Sequence, residues 1–364
     1  MIITGYKAKD FRNLKDVEFV PDKGLNVIFG ENGQGKTNII ESIWMFTGCH
    51  SFRTHKCNEL VATGKKNAKV YLDFISAGVE NEACLTIDSK REFLFNGIEK
   101  ESPRRFLGEF QSVVFSPSSL SIVQDAPAER RKFIDIAISM IRPAYSSLLL
   151  KYSKVLANRN ALLKQISQGI MTEDMLSVWD EELSRIGAKI TLYRLNYLDR
   201  FSSIVSEIYK EISAGREELK LEYVGSSKIF AADEYEMTEN IYMALQKNVQ
   251  NDVRRLLTSV GPHKDDLLLK VNDLSARFYA SQGQQRSCAL SMKLSEAYII
   301  KEVTGEYPVI LLDDVMSELD EKRQHFLLEY LKDRQIFLTC CDESHVTRLG
   351  SCKTFKIENG RLID

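Results

Sequence analysis

The segment Gly30-Glu31-Asn32-Gly33-Gln34-Gly35-Lys36-Thr37 constrains this chain more than any other. It follows a short apolar run, Leu25-Asn26-Val27-Ile28-Phe29, and precedes a stretch of helical spacing from Asn38 to Phe46. Strand, glycine-rich turn and helix in that order form a phosphate loop, and each residue type in it has a physical task. The glycines let the backbone wrap an anion with N–H groups pointing inward, and the helix turns its positive N-terminus to the same anion. Lys36 brings a flexible positive charge to the β- and γ-phosphates, and the Thr37 hydroxyl is a ligand for Mg2+. ATP with Mg2+ is the expected occupant, held along Gly30–Asn38 in an α/β core.

Leu311-Leu312-Asp313-Asp314 is the natural second half of such a site. An apolar strand delivers one carboxylate, Asp313, to the metal, and Asp314 beside it polarises the attacking water. Ser281-Gln282-Gly283-Gln284-Gln285-Arg286 is polar, carries a glycine and opens a helix. That suits a second anion site at a helix N-terminus, but on these residues alone the plainer reading, an N-cap with a glutamine-rich first turn, is favoured.

Around these strings the chain changes character twice. Residues 1–30 read as strands. Residues 68–115 alternate in hydropathy, with a hairpin signal at Asn96-Gly97, so an antiparallel β-meander is expected beside the nucleotide core. Past Pro127 helical spacing dominates to about Gly215, and 232–256 continues as helix. From Asp265 the core returns: 267–271 and Ala276-Arg277-Phe278-Tyr279 read as strands, about Gln282 to Val303 as helix, 308–312 as a buried strand, Glu321–Leu331 as helix and 335–339 as strand. The expected domains are 1–126, the N-terminal part of the ATPase domain; 127–231, an α-helical lobe; and 232–364, its C-terminal part. A formal net charge of −2 over 364 residues gives no global pull towards nucleic acid, so any DNA contact has to be a local basic face. Seven cysteines without C-x-x-C spacing read as reduced thiols of a cytoplasmic protein. No apolar run is long enough to span a bilayer, and no membrane partner is expected.

The order of these motifs resembles the ABC-type ATPase heads of the SMC group. The strings Phe11-Arg12-Asn13, Ser51-Phe52-Arg53, Glu129-Arg130-Arg131-Lys132-Phe133, Gly261-Pro262-His263-Lys264-Asp265-Asp266, Ser281–Arg286 and Leu312-Asp313-Asp314-Val315 resemble the bacterial RecF family of recombination mediators over essentially the whole chain. The resemblance implies a P-loop NTPase core with an added meander and a helical lobe. It implies an ATP-dependent head-to-tail homodimer in which Ser281, Gly283 and Gln284 of one subunit close over the γ-phosphate held by the other. Asp320 would lie in the loop communicating across that interface, and Arg12 and Asn13 near the base or α-phosphate of the nucleotide. A sensor glutamine is expected where the meander returns to the lobe, with Gln111 preferred over Gln124.

The resemblance further implies double-stranded DNA and duplex/single-strand gap junctions as ligands, RecO and RecR as partners, and RecA as the recombinase loaded through them. DNA contacts would come collectively from Lys65-Lys66, Arg104-Arg105, Arg130-Arg131-Lys132 and Arg254-Arg255, although each alone reads first as a solvated face. Two departures stand out. Ser116-Pro117-Ser118-Ser119 replaces the family's Ser-Pro-Glu-Asp. Thr339-Cys340-Cys341 stands where ABC enzymes in general place a switch histidine, which counts against the alternative, an ATPase subunit of an ABC-type transporter. Asp314 is shorter than the glutamate usual in transporter ATPases, in keeping with slow hydrolysis, and the resemblance implies that DNA stimulates it.

Overall fold

The computed structural model describes residues 1–226, 230–231, 233–341 and 352–363. In chain order the strands are β1 (Ile2–Phe11), β2 (Leu14–Phe19), β3 (Leu25–Phe29), β4 (Ala68–Ser76), β5 (Val79–Ile87), β6 (Arg91–Phe95), β7 (Ile98–Lys100), β8 (Ser112–Phe115), β9 (Leu219–Val224), β10 (Asp266–Val271), β11 (Leu274–Ser275), β12 (Val309–Leu312), β13 (Ile336–Cys340), β14 (Lys353–Glu358) and β15 (Arg361–Ile363). The chain divides into two compact units: Met1–Leu120 with Ala289–Asp364, and Ser121–Cys288.

The first unit carries two six-stranded sheets. One, ordered β15-β14-β3-β13-β12-β8, is parallel except for its last hairpin. Both β12 and β8, the edge strand beside it, are buried at every position, so 309–312 and 112–115 read as unbroken apolar or small-residue runs. The other sheet, β2-β1-β4-β5-β6-β7, is the antiparallel meander. Along β4 the residues Ala68, Val70, Leu72 and Phe74 turn inward and Lys69, Tyr71 and Asp73 outward, the period of a half-buried strand. Asn96 and Gly97, both at positive φ, close the β6–β7 hairpin. Under this sheet Phe46, Phe93, Phe106 and Phe110 pack edge-on and stacked.

The second unit is built on two long helices, Pro143–Ser167 and Ser177–Ile212, with Pro127–Ile141, Glu234–Lys247 and Val249–Arg255 packed around them. In its core the Arg159 guanidinium, fully buried, donates to Asp180 at 2.5 Å and to Asp252 and Thr258 at 2.8 and 2.9 Å. A small antiparallel sheet, β11-β10-β9, completes the unit. The unit is longer than the lobe expected over 127–231, because 233–288 is counted with it rather than with the ATPase part. Residue 232, at the expected boundary, lies outside the described set.

Ala276–Tyr279, read from its aromatics as a strand, is a short helical turn. Aromatic residues favour strands when one face is buried. Here Ala276 alone is buried and the other three are exposed, so no sheet surface rewards that conformation.

Candidate nucleotide site

The loop between β3 and the helix Lys36–Trp44 lies at the carboxyl ends of parallel strands, where open α/β sheets bind ligands. Gly35 caps the helix at φ +121°, and a Cβ there would sit 2.8 Å from both Asn13 Oδ1 and Leu14 Cδ2. Only glycine fits both the backbone angle and the space. Lys36, largely buried, donates from Nζ to the Gly30 and Glu31 carbonyls at 2.6 and 2.9 Å. Its charge is thus folded into the loop it has to serve. Gln34 is anchored from outside, its carbonyl accepting the Gly360 N–H and its side chain the Asn359 N–H, while Asn32 Oδ1 accepts from the Cys341 thiol.

β12 lies beside β13, and β13 beside β3, so the Asp-Asp pair and the loop share one end of the sheet. The Thr37 hydroxyl donates to Asp313 Oδ1 at 2.8 Å. The Thr339 hydroxyl donates to the same oxygen at 3.0 Å and accepts the Asp314 N–H at 2.9 Å. Burial pushes the Asp313 carboxyl above its ordinary range, while these two hydroxyls and the charge of Arg53 pull it back. A desolvated carboxylate beside a threonine hydroxyl is an all-oxygen donor set of the kind that suits Mg2+. Asp314 adopts the left-handed conformation, φ 53°, and the Ser317 hydroxyl donates to its carbonyl at 2.8 Å and its carboxylate at 3.1 Å. Thr339 is a site residue that the sequence did not single out; its place at the head of Thr339-Cys340-Cys341, the string that stands where a switch histidine is usual, is the signal that could have found it.

Of the remaining predicted residues in this unit, Asn13 and Asn38 join the loop. Asn13 Nδ2 donates to the Gly33 carbonyl and its Oδ1 accepts from Asn38 Nδ2, both at 2.7 Å. Arg12 is engaged differently from the expected nucleotide contact: its guanidinium forms a two-pronged pair with the buried Glu41, at 2.5 and 2.7 Å. Asp320 caps the helix Glu321–Tyr330, and the Arg323 N–H, then the Arg323 charge, hold its carboxyl below the usual range.

Gln111 is a correction. It immediately precedes β8, whose far end, Phe115, is the one that reaches Asp313. Four residues of strand, about 13 Å, put Gln111 at the opposite edge of the sheet from the loop. It is buried there, and its carbonyl accepts the Val309 N–H, so the fold does not bring Gln111 to the loop as expected. At the correct end stands Ser116, whose N–H bonds to the Ser119 hydroxyl and whose hydroxyl lies 2.7 Å from that of Ser118. These hydroxyls close the turn.

In the second unit, Ser281 and Gln284 form a reciprocal cap. The Ser281 N–H donates to Gln284 Oε1 at 2.7 Å, and the Gln284 N–H donates to the Ser281 hydroxyl at 3.3 Å. Gln284 Nε2 also donates to Glu217, Gln285 is buried and bonds to the carbonyls of Ala276 and Arg277, and the Gly283 carbonyl accepts from Ser287. Gln124, the other sensor candidate, donates to Gln285 Oε1 at 2.8 Å. The bland capping role is therefore real, yet Ser281 stays exposed, with Phe278 and Tyr279 before it each 72% exposed.

The basic candidates separate by burial. Lys65, paired with Asp10 at 3.4 Å, is exposed, as are Lys66, Arg104, Arg105, Lys132, Arg254 and Arg255. Arg130 is not available: only 4% exposed, it pairs through two nitrogens with Asp266 and donates to the Asp125 carbonyl. Half-buried Arg131 donates to the Asp265 carbonyl. The string Gly261–Asp266 is internal architecture. Gly261, at φ +123°, leaves 2.3 Å between a built Cβ and Tyr152 Oη. His263 Nε2 donates to the Thr258 carbonyl at 3.0 Å, so Nδ1 accepts from Tyr152 at 2.8 Å. Asp265 accepts from Tyr223 and the Ser226 N–H.

A phosphate loop and a strand-borne Asp-Asp pair in one parallel sheet, with an antiparallel meander and a helical lobe, define an ABC-type ATPase head of the SMC group. The family model described as the RecF/RecN/SMC N terminal domain matches residues 2–361. The DNA replication and repair protein RecF of Clostridium tetani is 37% identical over the full length of both chains, and that of Alkaliphilus oremlandii 39% identical over 93% of each. A solved structure of the recombination mediator RecF with ATP superimposes with a TM-score of 0.90 at 37% identity, covering 99% of this chain and 98% of that one. An Smc head bound to the C-winged helix domain of ScpA shares the fold, with a TM-score of 0.57 at 16% identity, covering 100% of this chain and 97% of that one. The chain belongs to the RecF family of DNA replication and repair proteins.

Proposed function

We propose that this chain binds ATP with Mg2+ on Gly30–Asn38 and, so loaded, pairs head-to-tail with a second copy. The observation that carries this is the 2.8 Å hydrogen bond from Thr37 to Asp313, with Lys36 folded into the loop beside it. Mg2+, held by Thr37 and Asp313, would neutralise charge on the β- and γ-phosphates. Lys36 leaves the loop carbonyls for phosphate oxygens, and Asp314 orients the attacking water. Ser281, Gly283 and Gln284 of the second copy supply the missing contacts to the γ-phosphate, with Asp320 in the communicating loop. The exposure of Ser281, Phe278 and Tyr279 supports a partner there.

The dimer clamps duplex DNA near single-strand gaps. Lys65, Lys66, Arg104, Arg105, Lys132, Arg254 and Arg255 are the basic side chains exposed for phosphate contacts, so binding is set by DNA structure rather than sequence. In the cytoplasm, on the nucleoid, RecO and RecR then help load RecA, and slow hydrolysis releases the clamp. The solved relative described as the recombination mediator RecF in the RecFOR pathway supports that placement. A turnover assay with duplex DNA tests the reading: DNA-stimulated hydrolysis in the wild type, lost in Lys36→Arg and reduced about 100-fold or more in Asp314→Asn, supports it. Wild-type turnover that ignores DNA, or that survives Asp314→Asn, contradicts it.

A further inference from the structure

Glu41 lies on the helix that follows the loop, one turn beyond Thr37, with no exposed surface. A buried carboxylate is tolerated only when its lone pairs are met by donors, and here all four positions are used. Oε1 accepts from Arg12 and from the Ser51 hydroxyl; Oε2 accepts from Arg12 Nε at 2.5 Å and from Arg53 at 3.2 Å. Two guanidinium groups against one carboxylate leave a net positive charge, and that of Arg53 is felt at Asp313.

The same Arg53 nitrogen donates to Asn38 Oδ1 at 2.7 Å. An arginine can only donate, so the Asn38 amide must face Arg53 with its oxygen and present its NH2 elsewhere. That NH2 meets Asn13 Oδ1 at 2.7 Å, which in turn leaves the Asn13 NH2 for the Gly33 carbonyl, again at 2.7 Å. Every donor along the line points one way, from Arg53 to the backbone of the phosphate loop, and its origin is the charge on Glu41. The structure assigns Glu41 as a positioning residue: it holds Arg53 in place, and the one-way relay through Asn38 and Asn13 fixes the loop at Gly33 in its anion-binding shape. This rests on the reading of Gly30–Thr37 as the ATP site.

Because the relay shapes the loop before any bond is made or broken, its loss acts on nucleotide binding more than on the chemical step. The test is a double-variant cycle of Glu41→Gln and Asn13→Ala, read by titration with a fluorescent ATP analogue plus Mg2+ and by steady-state turnover. Each single variant is expected to weaken binding about tenfold, with kcat within about threefold of wild type. The double variant should be weakened about tenfold as well, against about a hundredfold for independent effects. An additive cycle, or Glu41→Gln with unchanged affinity, overturns the assignment. If Glu41→Gln fails to fold, the same cycle with Arg53→Gln, which leaves the Arg12–Glu41 pair intact, decides between the same outcomes. Wild-type protein that does not bind the analogue would instead refute the ATP-site reading itself.

Discussion

Thr37 and Asp313 are 276 residues apart in the chain and 2.8 Å apart in the fold, the hydroxyl of one donating to the carboxylate of the other. The contact exists because β12 and β13 are inserted beside β3 from the far end of the sequence. It turns two local strings into one oxygen-lined end of a sheet.

Thr339 holds that end together, since its single hydroxyl serves both Asp313 and the Asp314 N–H. Thr339→Val keeps the shape and removes both bonds, leaving the Asp314 N–H without its acceptor. Stability should fall by about 1–3 kcal/mol, seen as a lower urea midpoint, and kcat should fall with it because Asp314 loses its anchor. A variant with wild-type kcat would show that Thr339 is dispensable to the placement of Asp314.

Arg130 and Lys132, two residues apart, should fail in different assays. Arg130→Ala leaves the half-buried Asp266 without its two-pronged partner and should cost about 1–3 kcal/mol of stability. Lys132→Ala should leave the urea midpoint within about 0.5 kcal/mol and weaken duplex binding, with a shallower salt dependence. Equal midpoints for the two variants would contradict the burial that separates them.

Burial pulls the His263 pKa down to about 4, with Lys264 and Arg131 adding to the effect and the Thr258 carbonyl and Asp252 opposing it. The folded chain therefore keeps His263 neutral where the unfolded chain, near 6.5, already takes up a proton. A depressed folded-state pKa on a base means stability is lost as pH falls from about 6.5 towards 4, by no more than about 3 kcal/mol from this group. His263→Gln should flatten that acid limb in urea titrations between pH 4 and 7. Parallel curves for variant and wild type would rule out His263 as its source.

The loop and the Asp-Asp strand were legible because each is a contiguous string whose chemistry depends on spacing alone. The meander was legible through its period of two, and the long helices through their apolar spacing. What stayed hidden depends on neighbours supplied by other parts of the chain. Thr339 matters because β13 lies between β3 and β12, an order no local pattern encodes. Gln111 was misplaced because its distance from the loop depends on which end of β8 it occupies. Arg130 looked like part of a basic surface until the face of its helix was known. β9 and β14 carry only short alternations, Leu219-Leu221-Tyr223 and Phe355-Ile357, too brief to stand out from loops. The aromatics of Ala276–Tyr279 misled in the opposite sense, since Phe278 and Tyr279 are exposed rather than packed on a sheet face.

Sedimentation velocity with and without ATP and Mg2+ tests the central claim most directly. The account predicts a monomer alone, a dimer with ATP, and a monomer under both conditions for Ser281→Arg, whose side chain would occupy the place of the γ-phosphate contact. A wild-type chain that stays monomeric with ATP, or a Ser281→Arg variant that still dimerises, would contradict a site completed by a second copy.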